Sequence, residues 1–237
     1  MNASFAPMAP PQPTMQQAAF RIRSWERMLL PPHDDARGAW NPDPMTDHTD
    51  PTAVALVHVL VWGLLPLWAA SGLADWWCHR RLRIEHSAGW PESALHLAML
   101  AELGIGVTFA ALLHINAGVL ATLLVLCLLH EATMVADLVY AERLRRIPPL
   151  EQWVHGVQHA MPWAAWVALA VIHQGQALAI LGWGIQAPDW RFAPRLDPLP
   201  PSAWLLIPGI GAVLASAFIE EFARAMRAAR PVPRPAP

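Results

Sequence analysis

The sequence predicts an all-α fold, a polytopic membrane bundle of about five transmembrane helices. Three observations carry that reading. Of 237 residues, 55% are hydrophobic and only 14% are charged, with a positive mean hydropathy of +0.30. Five apolar stretches each approach the ~20 residues that cross a hydrocarbon core. The charged residues gather in the segments between those stretches. Such a composition is too apolar for an ordinary soluble domain. A formal charge of −2, with no basic stripe interleaved by aromatics, offers no nucleic-acid surface. Cys78 and Cys127 sit in different segments without CxxC spacing, so no disulfide framework is expected.

In chain order, residues 1–51 are rich in Pro, Asp and Gln ("APPQP", "NPDPMTDHTDP") and read as a disordered tail. Within them "QQAAFRIRSWERMLL", 16–30, is expected to form a short amphipathic helix at a membrane surface. No basic start followed by an apolar run marks a signal peptide. The bundle, 52–221, contains candidate spans at 53–73, 93–113, 118–139, 161–182 and 202–219. "HINAG", 114–118, is a polar turn suited to an antiparallel hairpin. Pro148-Pro149 opens a surface helix around 149–160. The Pro-rich loop 182–201 is placed as a cap on the outer face, and 222–237 as a basic, Pro-rich tail.

Arginine placement orients the bundle, since every basic residue is Arg. Segments 74–91, 140–160 and 220–237 hold ten of them, whereas the opposite loops hold only Arg191 and Arg195. The positive-inside tendency puts the Arg-rich segments in the cytoplasm and the N-terminal tail outside. Arg21, Arg23, Arg27 and Arg37 in that tail pull the other way.

Acids and imidazoles recur at helical spacing. Asp75 and His79, Glu92 and His96, and Glu151, His155 and His159 are each four apart, so each set shares a helix face. His130 and Asp137 are seven apart and co-facial. Glu85 and His86 stand in the intervening loop. At ~1.5 Å per residue, Glu102 lies ~15 Å along its helix from Glu92. Antiparallel pairing then sets Glu102 level with His130 and Glu131, and His96 nearer Asp137. Four remote segments thus direct acids and imidazoles to the cytoplasmic half of the bundle.

An ionisable group in a span costs at least ~2.5–3.5 kcal/mol, so such groups are normally paired and functional. Carboxylate with imidazole, without thiolate, is ligand chemistry for iron, zinc or manganese. The candidate ligands are Asp75, His79, His96, Glu102, His130, Glu131, Asp137, His155 and His159. Glu85, His86, Glu92 and Glu151 are placed behind them as orienting groups, and Glu102 and Glu131 are the candidate catalytic carboxylates. Soluble di-iron bundles use Glu-x-x-His; the spacing here is Glu-x-x-x-His. Other polar residues have plainer readings. His58 and His114 are expected to be packing residues. His173, with Gln174 and Gln176, lines a polar cavity or bonds neighbouring helices. Trp76, Trp77, Arg80 and Arg81 suit an interfacial anchor, and Glu142 with Arg143, Arg145 and Arg146 a solvated cluster.

Through "DWWCHRRLRIEHSAGWPESALH" and "HEATMVADLVYAERLRRIPPLEQWVH" the chain resembles a group of small bacterial integral membrane proteins without settled biochemistry, over about residues 74–163. That resemblance implies a multi-pass protein of the bacterial inner membrane. His155 and His159 also form an HxxxH, distantly similar to the His boxes of membrane di-iron oxygenases and desaturases; no HxxHH occurs. Nothing matches the GG(D/E)EF signature of diguanylate cyclases.

These readings converge on a membrane metalloprotein with a non-haem iron or di-iron centre, an oxidoreductase of hydroxylase or desaturase type. Its expected partners are membrane lipid, an apolar small-molecule substrate and an electron donor. A zinc or manganese hydrolase is a variant, although His130-Glu131 lacks the second His of HExxH. A proton or metal-ion transporter would use the same intramembrane groups. It would also need polar residues through both halves, which "LGIGVTFAALL" and "ATLLVLCLL" lack. A b-type haem protein using His96 and His130, and a non-enzymatic assembly protein, complete the alternatives.

Overall fold

A computed structural model describes residues 50–196, 199 and 201–229. The helix expected at 16–30, the remainder of the N-terminal tail and residues 230–237 lie outside the described residues. All regular elements among the described residues are helical.

Helix α1, Pro51–Leu82, starts where the Asp50 carboxylate accepts from Thr52 N–H at 2.9 Å and Pro51 occupies the first turn. Its Val59–Leu64 stretch widens into a π-helix immediately before Pro66. The proline ring has no N–H and crowds the carbonyl four residues back, and a wide turn relieves that conflict. Arg83, in the left-handed region at φ 56°, ends α1. A 3-10 turn, Ile84–His86, and Gly89 at φ +72° then reverse the chain into α2, Trp90–Leu112. After the 114–116 turn the Asn116 side chain caps α3, Ala117–Glu142, by accepting from Val119 N–H at 3.1 Å. Helix α4, Pro149–Ile172, bends by 104° into α5, Gln174–Ile180. The final helix is α6, Pro201–Ala228.

Four of these helices are long and apolar enough to cross a membrane, and α4 with α5 makes a fifth if the bent pair is one span. The chain is therefore built as a multi-pass membrane protein. Three expectations need correction. The surface helix at 149–160 joins the first part of the span expected at 161–182 in one helix, because nothing between them breaks it and Pro162 is accommodated within α4, and that span is broken at His173 before α5. The first span continues past residue 73 to Leu82. The last helix passes both residue 219 and the boundary drawn at 221, since "EEFARAMRA" contains no breaker.

Helix α2 packs against α3 and α6, α1 against α4 and α6, and α3 against α4. At the end bearing the α2–α3 turn the core is apolar: Ile115, Val119, Leu120 and Leu123 are buried together. The segment after α5 is strapped over this end, as expected of a cap. Gly118 N–H donates to Asp189 O at 3.0 Å, His114 N–H to Ala193 O at 2.9 Å and Asn116 Nδ2 to Arg191 O at 2.7 Å. Hydrogen bonds from the Arg191 side chain and backbone hold the Asp189 carboxyl down at about 2. A Cβ on Gly118 would meet the Trp190 backbone at 3.1 Å, so the close approach of this strap requires glycine. At the opposite, Arg-rich end the interior is polar.

Candidate metal centre

Five helices each send acids or imidazoles into one dry cluster at the Arg-rich end. Helix α1 supplies Asp75 and His79, α2 supplies Glu92 and His96, α3 supplies Asp137, α4 supplies Glu151 and His155, and α6 supplies Glu221. All eight are buried, and His79, Glu92, Glu151 and Glu221 are fully so. Three helices present the same acid-x-x-x-His pair, whose 400° of helical rotation leaves the two side chains only ~40° apart.

Glu221 organises the imidazoles. One of its oxygens accepts from His79 Nδ1–H at 3.1 Å and the other from His96 Nδ1–H at 2.8 Å. The two rings stack face to face, with centroids 4.6 Å apart and planes within 6° of parallel. With Nδ1 committed to Glu221, His79 Nε2 points at Glu151 Oε1 (3.1 Å), Asp75 Oδ1 (3.4 Å) and Glu92 Oε1 (3.9 Å). His96 Nε2 likewise faces Asp137 Oδ2 at 3.5 Å, and His155 Nε2 lies 3.0 Å from Asp75 Oδ1. At His79 and His96, whose Nδ1 is taken by Glu221, a neutral ring would aim a lone pair at acceptor oxygens, whereas His155, with Nδ1 free among the described residues, can donate to Asp75 from Nε2 as a neutral ring. At His79 and His96 a cation, whether proton or metal, must intervene.

Arg145 supplies the cluster's fixed positive charge. Its Nε donates to both Glu92 oxygens at 3.1 and 3.2 Å, its Nη1 donates to Glu151 Oε2 at 3.1 Å, and its Nη2 lies between the two carboxylates. Burial opposes the guanidinium charge, but the hydrogen bonds that Arg145 donates to Glu151 and Glu92 outweigh it and raise Arg145 above its ordinary value. This corrects the expectation of a solvated cluster for Arg145; Glu142, Arg143 and Arg146 are exposed, as that reading has it.

Five buried carboxylates against one guanidinium leave four negative charges when the imidazoles are neutral, and one when all three are protonated. Protonating both His79 and His96 also sets two cations 4.6 Å apart, which costs roughly 3–4 kcal/mol at an effective dielectric of about 20. The same rings face carboxylate oxygens at 2.8–3.9 Å, so protons and a divalent cation both offset the charge of the cluster.

Its donor spacing fits a metal. Asp75, His79, Glu151 and His155 offer ligand atoms all within 4.8 Å of one another, and His79, Glu92 and His96 form a second such group. Around an ion with bonds of ~2.1 Å, neighbouring donors lie ~3 Å apart and opposite ones ~4.2 Å. Glu221 holding Nδ1 while Nε2 faces the donor group is how a carboxylate fixes the tautomer of a ligating histidine. His96 Nε2 and Asp137 Oδ1 are buried without a hydrogen-bond partner among the described residues. Iron, zinc and manganese all accept this oxygen and imidazole set.

Of the nine ligands expected from sequence, Asp75, His79, His96, Asp137 and His155 meet here. Glu102, His130, Glu131 and His159 do not. Glu102 accepts from Thr133 Oγ1 at 2.7 Å and lies 3.6 Å from His130 Nδ1; the level pairing of α2 and α3 is thus as expected, but further along the helices. His130 is ~10 Å along α3 from Asp137, too far to share its ion. Glu131 lies 3.2 Å from His159 Nδ1 and accepts from Trp163 Nε1 at 3.3 Å. His159 is off the cluster because eight residues of helix rotate it ~80° from Glu151, and its side chain is 49% exposed.

Among the expected orienting groups, Glu92 and Glu151 enter the donor groups directly. Glu85 pairs instead with Arg224, and His86 is largely exposed. His58 is hydrogen-bonded through Nδ1 to Val54 O, but it is exposed and so is not the packing residue expected. Arg80 stacks over Trp76 and Arg81 over Trp77, each 5.5 Å from the ring centroid. Glu221 and Arg145 were not anticipated. Glu221 lay beyond the last expected span, yet Leu214, Phe218, Glu221 and Ala225 form one buried stripe of α6 that could have signalled it.

A cavity of about 490 Å³ adjoins the cluster. It runs between α1, α2 and α6, with Asp75, His96 and His130 among its walls and mostly apolar side chains elsewhere. No protein-family model, curated protein or solved structure matches the chain.

Proposed function

We propose that this chain is an integral membrane metalloenzyme with a non-haem iron centre of one or two ions, oxidising an apolar, lipid-like substrate on the cytoplasmic side of a bacterial inner membrane. The single observation that carries the reading is the Nε2 of His79 facing three carboxylate oxygens while Glu221 occupies its Nδ1. Two divalent ions would neutralise the four charges left by five carboxylates and Arg145, where protons on the three imidazoles would leave one.

In this reading Asp75, His79, Glu151 and His155 hold one ion, and Glu92 and His96, with Asp137 beside them, hold or support a second. Iron bound there supplies one-electron redox chemistry with dioxygen. The protein's own residues do the rest. Glu221 orients both imidazoles, Arg145 restrains Glu92 and Glu151, and the apolar walls at Asp75 and His96 keep water from the reacting end of the cavity. An external donor returns electrons.

An oxidoreductase is favoured over a transporter because the polar groups crowd one end. Beyond His130 the cavity walls offer Leu, Ile, Val and Trp in place of an ion path. Elemental analysis of detergent-purified protein is the test: at least one equivalent of iron, lost in His155→Ala, is expected. Protein that stays folded and metal-free after anaerobic iron reconstitution overturns the proposal.

A further inference from the structure

The cavity beside the cluster has one polar feature inside its apolar length. His130 is 4% exposed, lines the void, and has neither Nδ1 nor Nε2 hydrogen-bonded among the described residues. Its nearest charged neighbour, Glu102, keeps Oε2 unpartnered 3.6 Å away. A buried imidazole whose two ring nitrogens make no hydrogen bond has given up its bonds to water without replacement. A ligand that restores one recovers that loss.

We infer that the cavity binds a membrane amphiphile with one long hydrocarbon chain and a neutral hydroxyl or carbonyl head, the head bonded to His130 and presented toward Asp75 and His96. This names the substrate class of the proposed metalloenzyme and rests on that reading for its catalytic meaning, though not for the binding itself.

Three features set the chemistry. Length comes from the walls: beyond the level of Glu102, where His130 stands, they follow α2 to Leu112, ~15 Å at 1.5 Å per residue, about half of a ~30 Å hydrocarbon core. That suits a chain lying along the bundle and not a compact ring system. Neutrality comes from charge: no Arg lines the cavity, Asp75 does, and Glu102 stands behind His130. A carboxylate or phosphate head would meet repulsion without a counter-ion. The position of His130, in one void with Asp75 and His96, brings the head end rather than the chain end to the cluster.

A long-chain alcohol or aldehyde and an isoprenoid quinone or quinol share this chemistry. The binding experiment separates them. Full-length protein in nanodiscs is titrated with hexadecanol, a decyl-tailed benzoquinone, hexadecane and palmitate, read by competition against a tritiated hexadecanol. Either the alcohol or the quinone should bind about 10-fold more tightly than hexadecane and palmitate, the factor that ~1.4 kcal/mol for one hydrogen bond gives; the tighter of the two identifies the source. His130→Phe should abolish that preference while retaining hexadecane binding. Gly211→Leu supplies the steric control, because a Cβ at Gly211 meets nothing within 4 Å and its side chain would enter the void; it should block every probe. Hexadecane or palmitate binding as tightly as the oxygenated probes overturns the inference, as does an unaltered preference in His130→Phe or undiminished binding in Gly211→Leu. Iron content is measured on the same samples. Metal-free protein that still binds the amphiphile removes the enzyme reading alone, and iron-loaded protein that binds no probe removes this inference alone.

Discussion

His79 and His96 lie face to face, 4.6 Å between centroids and 6° from parallel, and a single carboxylate, Glu221, accepts a hydrogen bond from the Nδ1–H of each. Parallel stacking of two imidazoles is a geometry that neutral rings tolerate and imidazolium pairs resist. The bridge therefore fixes tautomers as well as positions, and it turns both Nε2 atoms toward the carboxylates of α1, α3 and α4.

Replacing Glu221 by Gln tests that role. An amide can accept from one Nδ1–H but presents an NH2 to the other, so one ring must flip or tilt. Metal affinity should fall about 10- to 100-fold, the range for lost ligand-orienting partners. Thermal unfolding should move little, because the buried volume is unchanged. Metal-to-protein ratios at graded chelator concentrations give the readout.

Arg145 is the next test. Among the described residues it is the only guanidinium in contact with Glu92 and Glu151, both fully buried. Arg145→Met leaves two carboxylates without their partner, and removing one member of a buried pair typically costs about 3–5 kcal/mol. Reduced yield and a lower detergent unfolding midpoint are expected. Arg145→Lys should recover only part of the loss, since an ammonium cannot fork between two carboxylates. Adding Glu92→Gln to Arg145→Met should restore stability relative to the single variant.

Much of this was legible in the chain, and the failures have physical causes. Spans were readable because lipid demands long apolar runs. The acid-x-x-x-His pairs were readable because helical geometry makes i and i+4 neighbours: Asp75 and His79 lie 3.4 Å apart, and Glu92 and His96 share one donor group. His159 shows the limit of that rule: a second step of four accumulates rotation and carries it to Glu131 and partial exposure. Glu221 was hidden because charge was taken to end the last span, whereas Glu220 and Glu221 continue α6 and face different ways. Glu220 reaches Arg80 and Trp76, while Glu221 enters the cluster. Arg145 was hidden because its neighbours Arg143 and Arg146 are exposed, and only the loop's path decides which of the three arginines turns inward.

The two histidines of the HxxxH should separate cleanly. His155 is buried with Nε2 on Asp75 and belongs to a donor group, whereas His159 pairs with Glu131 outside it. His155→Ala should lower metal affinity at least 10-fold, in line with loss of a ligand or its orienting bond. His159→Ala should leave metal content at the wild-type level. Equal losses in both variants would contradict the single-cluster geometry.

Metal removal should expose the charge imbalance as instability. Stripping the ion leaves Asp75, Glu92, Asp137, Glu151 and Glu221 facing one another with Arg145 as the sole permanent counter-charge. Helices α1, α2, α3, α4 and α6 meet at those residues, so the repulsion acts to splay the Arg-rich end while the apolar end around Leu120 and its strap stays intact. Chelated protein should then show faster amide exchange at residues 75–96 and 145–155 but unchanged exchange at 115–125. Restoring iron at 100 times its dissociation constant should return about 2.7 kcal/mol of stability, the mass-action value for one site. Zinc or manganese should restore the exchange pattern as well, because the electrostatic demand is for a divalent cation, whereas redox turnover should return with iron alone. Exchange rates that do not respond to chelation would mean that the carboxylates are already neutralised by protons, and the metal assignment would fall with them.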